Sequence, residues 1–221
     1  MNKGKLYIVA TPIGNLGDIS QRALDVLNQV EVIYCEDTRV TSKLLSYFNI
    51  EKTLQSYHQH SEDKKANEIL EQLNYGKDLA LVTDAGTPGI SDPGGKLVEF
   101  LSYEKVEMIP IPGASAVVTA LSVCGFPADK FLFLGFPPHK SKRKKFFIEV
   151  AENKYTTVFY ESPHRISKAL ENLKEVLSEE REICICRELT KKFETIYRGT
   201  IEEIIAQDIP AKGEFVVVVR K

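Results

Sequence analysis

Residues 79–95 have the sequence LALVTDAGTPGISDPGG. The first five predict a strand that is buried on both faces, and residues 84–95 predict a loop with four glycines and two prolines. Glycine lets a backbone approach a ligand closely, and proline makes a loop stiff. Because open α/β sheets bind ligands at the carboxyl ends of their strands, the stretch predicts a ligand-binding loop. A purely structural connection is the alternative, and Asp92 is the expected cap of the following helix.

The same loop differs from the phosphate-binding motifs of nucleotide-binding proteins. The pattern G-x-x-x-x-G-K-[ST] is absent, and no lysine stands where it would neutralise a β- or γ-phosphate. Gly14 and Gly17 follow the first strand, and with Glu36 about 20 residues further on they resemble the dinucleotide fingerprint only faintly. The loop therefore suits a ligand with little phosphate, such as an adenosine that carries an amino-acid tail.

Strand-like and helix-like segments alternate along the first half of the chain, which favours an open, mainly parallel sheet. In the second half short turns separate several strands, so a mixed sheet is expected there. We predict two α/β domains, residues 1–117 and 118–221. The strands predicted in the first half lie at residues 6–10, 32–35, 79–83 and 106–109, and a short segment at 53–57 lies between two predicted helices.

Charge is distributed unevenly along the sequence. The 29 basic and 31 acidic residues give a net charge of −2, which excludes a highly charged disordered chain and a uniformly basic nucleic-acid coat protein. Residues 1–118 carry a net charge of −5, however, and residues 119–221 a net charge of +3. Five cations lie within residues 140–145. Such a run is either a solvated helix face or a contact with RNA phosphates.

Three further segments have two interpretations each. Residues 112–116 form a turn of small residues at the start of a helix. This turn either binds a ligand or lets the helix pack closely on a neighbour. Residues 159–165, FYESPHR, follow a strand, and Ser162 with Pro163 also fits an ordinary helix start. Residues 187–194 mix charges between two strands, either as a hairpin with surface ion pairs or as polar groups that point into a cleft.

Cysteine and histidine spacing favours neither disulfides nor a metal. Cys184 and Cys186 alternate on a strand-like run, and Cys35 and Cys124 are isolated beside apolar residues. Four buried free thiols are therefore expected, with a metal or disulfide role as the alternative. The pair His58-x-His60 is expected to face solvent or substrate, and no metal site is predicted.

No stretch approaches the roughly 20 apolar residues of a transmembrane helix. The run from Leu6 to Ala10 has five apolar or small residues, too few for the core of a signal peptide, and predicts a first strand. We therefore expect no membrane association and a cytoplasmic location.

Six stretches, spread over about residues 4–219, together resemble the tetrapyrrole methylase superfamily. Within it, the signature Ala-Gly-Thr-Pro-x-Ile-Ser-Asp-Pro-Gly of residues 85–94 is specific to a subgroup that methylates small-subunit ribosomal RNA. Relatives that modify tetrapyrroles typically carry Asp-Pro where this chain has Thr87-Pro88. The six stretches are residues 11–19, 36–39, 84–94, 112–115, 160–165 and 187–191.

The resemblance implies two α/β domains with S-adenosyl-L-methionine bound in the cleft between them, and a homodimer. It also implies methyl transfer to the ribose 2′-hydroxyl of a cytidine in the decoding region of small-subunit ribosomal RNA, either naked or in an assembled subunit. The alternative is a methyltransferase that acts on a tetrapyrrole or another small molecule, which would not need the basic run. Some members continue into a small helical extension beyond the equivalent of Lys221, so RNA contacts made by that extension are expected to be missing or supplied elsewhere.

Matching turns carry the family's contacts onto this chain. The cofactor contacts are expected at Pro12, Ala85, Gly86, Thr87, Pro88, Ile90, Ser115, Ala116, Tyr160, Glu161, Gly213 and Glu214. A ribose hydroxyl is a weak nucleophile near neutral pH, so a base or a cation beside it would help. Lys191 is the preferred catalytic candidate beside the ribose, and Glu188 and Arg39 are the others. Glu36 and Asp37 also lie at strand ends and are further candidates. RNA contacts are expected from Lys140, Lys142, Arg143, Lys144, Lys145 and Arg165.

Overall fold

The computed structural model describes residues 3–58 and 62–221, and the chain divides into two compact units, the first ending at Ser115 and the second beginning at Ala116. The first unit contains β1 Leu6–Val9, α1 Gln21–Gln29, β2 Val32–Cys35, α2 Thr38–Tyr47, β3 Thr53–Ser56, α3 Glu62–Asn74, β4 Leu79–Leu81, α4 Gly95–Tyr103 and β5 Met108–Ile111. The second contains α5 Ala116–Cys124, β6 Phe131–Phe133, α6 Arg143–Glu152, β7 Thr156–Glu161, α7 Ile166–Val176, β8 Glu182–Arg187, β9 Thr195–Thr200, α8 Ile201–Ile205 and β10 Phe215–Val219. The predicted α/β class is confirmed.

The first unit is built on a five-stranded parallel sheet with the strand order β3-β2-β4-β1-β5. Alternate residues of each central strand enter two different hydrophobic clusters, one on each face of the sheet. In β4, for example, Leu79 and Leu81 join one cluster and Ala80 joins the other. The continuous apolar runs of the sequence are thus explained, because helices cover both faces and no strand position needs to be polar.

β5 differs from its predicted bounds. The sequence places a strand at residues 106–109 that stops before Pro110, whereas the pairing with β1 continues through Pro110 to Ile111. β5 lies at the edge of the sheet. Proline is tolerated there because an edge strand does not need every backbone N–H for a neighbour.

The second unit has a five-stranded mixed sheet with the order β6-β7-β10-β8-β9. β6 and β7 are parallel, and the other neighbours are antiparallel. The mixed sheet predicted for this half is therefore confirmed. Because β6 and β7 run in the same direction, both deliver their carboxyl ends to the same edge of the sheet.

The two faces of this second sheet are covered by different helices. Residues such as Phe159, Ile185 and Val217 form one cluster with α6, α7 and α8, and α5 packs against β8 and β10 on the other side. Cys124, Cys184 and Cys186 are buried and free, as is Cys35 of the first unit, so the predicted buried thiols are confirmed. The sulfurs of Cys184 and Cys186 are 3.9 Å apart, well beyond the length of a disulfide bond.

Within the two described stretches of the chain, no helix has both the length and the apolar character that crossing a membrane requires.

Candidate active site

The glycine–proline loop, residues 84–95, leaves the carboxyl end of β4 and is bound to the turn after β1. Thr11 and Gly86 form an isolated antiparallel bridge. The Thr11 amide donates to the Gly86 carbonyl at 2.9 Å, and the Gly86 amide donates to the Thr11 carbonyl at 3.1 Å. The buried Thr11 hydroxyl also donates to the carbonyl of Thr83 at 3.0 Å. These bonds hold the loop beside Pro12, the first residue expected to contact a cofactor.

The loop's backbone conformation depends on its glycines. Gly86 and Gly89 have φ angles of 81° and 82°, in the left-handed region that side chains disfavour. Gly94 precedes α4 as its N-cap and makes no side-chain bond, so the expectation that Asp92 caps this helix is wrong. Asp92 lies two residues too early because the helix begins only at Gly95. The amides of Ala85 and Thr87 have no hydrogen-bond partner within residues 3–58 and 62–221.

Three carboxylates interact at this edge of the first unit. Burial and the nearby charges of Glu36 and Asp84 raise the pKa of Asp92 to about 6. Burial and repulsion from Asp84 also raise the pKa of Glu36. The negative charge of this cluster disfavours a phosphate-rich ligand, in agreement with the absence of phosphate-binding motifs from the loop.

Arg39 is exposed but already holds a partner. Its Nη2 and Nε donate to Asp37 at 2.6 and 3.0 Å, and this pairing lowers the pKa of the Asp37 carboxyl well below its usual range. The amide of Asp37 in turn donates to Asp84 at 3.0 Å. The guanidinium is therefore oriented by Asp37, and its Nη1 group has no hydrogen-bond partner among the described residues.

A second turn, residues 112–116, lies against the end of β1 and the glycine–proline loop. A Cβ added to Gly113 would lie 2.9 Å from the Cβ of Ala10 and 3.3 Å from its carbonyl oxygen, so only glycine permits this close approach to the end of β1. The Thr87 hydroxyl donates to the carbonyl of Ala114 at 3.4 Å. The turn is therefore packed closely on the end of β1 and joined to the glycine–proline loop through Thr87, and its expected ligand contact stays a prediction.

In the second unit, Lys191 bridges two carboxylates. Its Nζ lies 3.0 Å from Glu188 Oε1 and 2.9 Å from Glu214 Oε2. Burial acts to lower the pKa of Lys191, but the hydrogen bonds to Glu214 and Glu188 outweigh it, and the pKa is raised. Burial likewise acts to raise the pKa of Glu188, yet the bonds from Lys191 and from the Glu214 amide leave it lowered. The ammonium of Lys191 and the two carboxylates thus form one hydrogen-bonded network.

The backbone that carries this network is constrained. Glu188 and Thr190 have φ angles of 53° and 67°, which non-glycine residues adopt rarely. Gly213 has a φ of 89°, and a Cβ added to it would lie 2.4 Å from Cγ of Glu188. Positive φ at non-glycine residues persists only where the surroundings enforce it, and such positions are often functional.

Glu161 ends β7 with a completely buried carboxylate. Its oxygens lie 3.0 Å from Arg143 Nη2 and 3.2 Å from Arg165 Nε, and they accept from the Ser162 amide at 2.8 Å. The carboxylate is therefore committed to internal partners, which leaves only the backbone of Glu161 for the expected cofactor contact.

The expectation that Arg143 contacts RNA is wrong. Its side chain is 8% exposed, donates to Glu161 and Asn172, and lies over the ring of Phe147. A guanidinium presents a fixed planar fork of donors, which suits a buried carboxylate better than an ammonium does. Arg143 thus fixes the start of α6 to the end of β7.

The other cations of the basic run are exposed. Lys140 and Lys142 precede α6, and Lys144 and Lys145 lie in its first turn. None of the four forms an ion pair with any residue that the structure describes. Arg165 is partly buried and donates to the carbonyl of Pro137 at 3.4 Å.

Among the described residues, no group of three or more histidine, cysteine or acidic side chains is arranged to hold a metal. His58 is exposed, and His60 lies outside the described residues. Of this pair, the structure therefore shows the exposure of His58 only.

The fold and the loops identify the class of protein. The chain belongs to the tetrapyrrole (corrin/porphyrin) methylase family, whose family model matches residues 5–205. Within it, the chain is similar to curated proteins named Ribosomal RNA small subunit methyltransferase I. The protein of that name from Vibrio cholerae is 51% identical over 97% of this chain and 76% of its own length. The one from Halalkalibacterium halodurans is 46% identical over 99% of this chain and 76% of its own length.

Two solved structures have the same fold at low sequence identity. Uroporphyrin-III-C-methyltransferase from Thermus thermophilus has a TM-score of 0.67 at 19% identity, over 99% of this chain and 95% of its own. The cobalamin biosynthetic enzyme cobalt precorrin-4 methyltransferase has a TM-score of 0.72 at 18% identity, over 98% of this chain and 94% of its own. At this level of identity the similarity establishes the fold alone.

Sequence reasoning missed the internal role of Glu161 and its partners. One signal was present, because Glu161 directly follows the apolar run of β7, where a charge is unlikely to be solvated on both sides. The partner Asn172 carries no comparable signal, since its position opposite Arg143 depends on how α6 packs on α7.

Proposed function

We propose that this protein is an S-adenosyl-L-methionine-dependent methyltransferase of small-subunit ribosomal RNA that acts on the ribose 2′-hydroxyl of a cytidine in the decoding region. The observation that carries the proposal is the similarity to proteins named Ribosomal RNA small subunit methyltransferase I, at 51% identity over 97% of the chain. The RNA class rests on this similarity. The ribose 2′-hydroxyl, the cytidine and its position in the decoding region are what the resemblance of the six sequence stretches implies.

The loop residues of the first unit fit the cofactor. The partnerless amides of Ala85 and Thr87 supply two backbone donors, and the left-handed Gly86 keeps side-chain atoms away from them. The acidic cluster around Asp92 is compatible with a ligand whose sulfonium and amino groups are positive. When bound, S-adenosyl-L-methionine supplies an electrophilic methyl group. Its remaining contacts are proposed at Pro12, Pro88, Ile90, Ser115, Ala116, Tyr160, Gly213 and the backbone of Glu161.

Lys191 is proposed to assist the ribose hydroxyl as a cation. Because its pKa is raised and it binds two carboxylates, it stays protonated at neutral pH and cannot serve as the general base. A fixed ammonium stabilises the negative charge that develops on an oxygen nucleophile. Glu188 and Glu214 hold the ammonium in place, so Glu188 and Glu214 act here as positioning residues.

The RNA is proposed to meet the exposed cations of the second unit. Lys140, Lys142, Lys144 and Lys145 have no ion-pair partner among the described residues and are free to neutralise phosphates. Nη1 of Arg39 in the first unit has no partner among the described residues, and Arg39 is proposed to hold a further phosphate. The substrate is naked RNA or an assembled small subunit, and the protein is proposed to work as a homodimer in the cytoplasm.

The test is cofactor binding by calorimetry, followed by methyl transfer to small subunits from cells that lack the enzyme. Gly86→Ala is expected to weaken cofactor binding at least tenfold, because the strained φ displaces the loop amides. Gly125→Ala is the matched control, since Gly125 has the same φ of 81° with no atom within 4 Å of the added Cβ. Failure of the wild-type protein to bind the cofactor at millimolar concentration would contradict the proposal. Transfer to a porphyrin or a free nucleoside but not to subunits would favour a small-molecule methyltransferase.

A further inference from the structure

An aromatic platform lies at the carboxyl ends of β6 and β7 and consists of Phe133, Tyr160 and Phe136. The ring centroids of Phe133 and Tyr160 are 5.0 Å apart, and those of Phe136 and Tyr160 are 5.3 Å apart. The backbone beneath is fixed, because the amide of Tyr160 donates to the carbonyl of Gly135 at 2.8 Å. Phe136 nevertheless remains 50% exposed. A rigidly supported and half-exposed aromatic ring is a surface on which a nucleobase can stack.

The lysines of the basic run begin four residues after Phe136. Lys140 is therefore at most about 14 Å from Phe136 along an extended chain. The intervening segment is held by Arg165, which donates to the carbonyl of Pro137 at 3.4 Å, and the start of α6 is held by Arg143. The backbone that carries the four lysines is thus held close along the chain to the aromatic platform, and none of the four forms an ion pair with a described residue. A positive surface beside exposed aromatic rings is the combination that binds single-stranded nucleic acid.

We propose that Phe136 stacks on a nucleobase of single-stranded ribosomal RNA while Lys140, Lys142, Lys144 and Lys145 bind the neighbouring phosphates. The proposal deepens the proposed function and rests on it for the class of substrate. The charge of the lysines selects an anionic polymer, and the exposed ring selects one with unpaired bases. Phe136 acts on binding and placement of the RNA, and it is a positioning residue for methyl transfer.

The test measures binding of a fluorescent oligocytidylate of about 12 nucleotides to the full chain by polarisation. Phe136→Ala is expected to raise the Kd about tenfold, and Phe136→Trp to keep it near the wild-type value. Phe131→Ala is the matched control, because Phe131 is 43% exposed at the opposite end of β6 and is expected to change the Kd less than about twofold. An abasic oligomer of the same length is expected to bind wild type and Phe136→Ala equally, since it has no base to stack.

Two results would overturn the inference. One is that Phe136→Ala binds oligocytidylate with the same Kd as the wild-type protein. The other is an equal loss of affinity for the abasic oligomer, which would make the effect one of folding or charge. A loss of S-adenosyl-L-methionine affinity without a loss of RNA affinity would assign the ring to the cofactor's adenine instead. Because the polarisation assay requires no methyl transfer, an inactive wild-type protein that still binds RNA would contradict the proposed function alone.

Discussion

Arg143 and Glu161 form a buried ion pair in the second unit, with Nη2 of the arginine 3.0 Å from Oε2 of the glutamate. The pair joins the first residue of α6 to the last residue of β7. Arg165 completes the arrangement from the segment before α7. One carboxylate therefore fixes three segments, and it does so directly beside the exposed lysines and the aromatic platform.

The first prediction concerns this carboxylate. Glu161→Gln is expected to lower the free energy of unfolding by about 3 kcal/mol, because it leaves two largely buried guanidinium groups without their counter-charge. The measurement is urea denaturation followed by circular dichroism. Lys174→Met is the control: it breaks the exposed pair with Glu202, and a change below about 0.5 kcal/mol is expected. Equal losses in the free energy of unfolding for the two substitutions would show that the buried pair contributes no more to stability than the exposed one.

The second prediction concerns the close contact of Gly213 with Glu188. Gly213→Ala is expected to destabilise the protein by about 3 kcal/mol, since it adds a clash with Cγ of Glu188 to the strain of a positive φ. Gly125→Ala introduces similar backbone strain without a clash, and a loss of about 1 kcal/mol is expected. The difference between the two free energies of unfolding measures the clash. Indistinguishable values would mean that Glu188 moves aside without cost.

The third prediction concerns pH. The pKa of Asp92 is raised from 3.8 to about 6 in the folded protein, so the folded state holds a proton that the unfolded state has released between these values. Stability is therefore expected to fall as pH rises from about 4 to about 6. Asp92→Asn removes this dependence, and at pH 7 it is expected to stabilise the protein by about 1 kcal/mol, allowing for partial solvent screening.

The measurement is the Tm of wild type and Asp92→Asn across this pH range. Asp129→Asn is the control, since Asp129 is exposed. The raised pKa of Asp92 would be contradicted if the Tm difference between Asp92→Asn and wild type stayed constant with pH or narrowed as pH rises.

The fourth prediction tests Lys191. Lys191→Ala is expected to lower kcat for methyl transfer about 100-fold with a smaller change in KM, as removal of a fixed donor beside a developing oxyanion does. Lys191→Arg is expected to retain part of the activity, because it keeps the positive charge. Lys192→Ala removes the adjacent exposed cation and serves as the control. Turnover near that of wild type in Lys191→Ala would exclude Lys191 as the catalytic cation.

Part of the structure follows from local sequence. The apolar runs of β2, β4 and β10 predict buried strands, because every position of such a run must avoid water on both faces. The glycines of residues 84–95 predict a backbone that side chains would obstruct, and Gly86 and Gly89 do adopt left-handed conformations. The bounds of β5 were less predictable, because the tolerance of Pro110 depends on which strand lies at the edge.

Local sequence did not distinguish the cations of residues 140–145 from one another. All five appear equivalent in a run of lysines and one arginine, yet Arg143 is buried and the four lysines are exposed. The difference arises from Glu161, which is 18 residues away in sequence. The same holds for Lys191, whose second carboxylate, Glu214, is 23 residues away.

The sequence by itself determined the α/β class, the family and the loop that is proposed to bind the cofactor, because strand burial and glycine conformation are local properties of the chain. The tertiary structure decided the state of the charged side chains. It assigned Arg143 to the interior, bound Lys191 to two carboxylates, and raised the pKa of Asp92. The physical reason is that charge interactions depend on distance and desolvation, and both are set by the packing of segments far apart in the sequence.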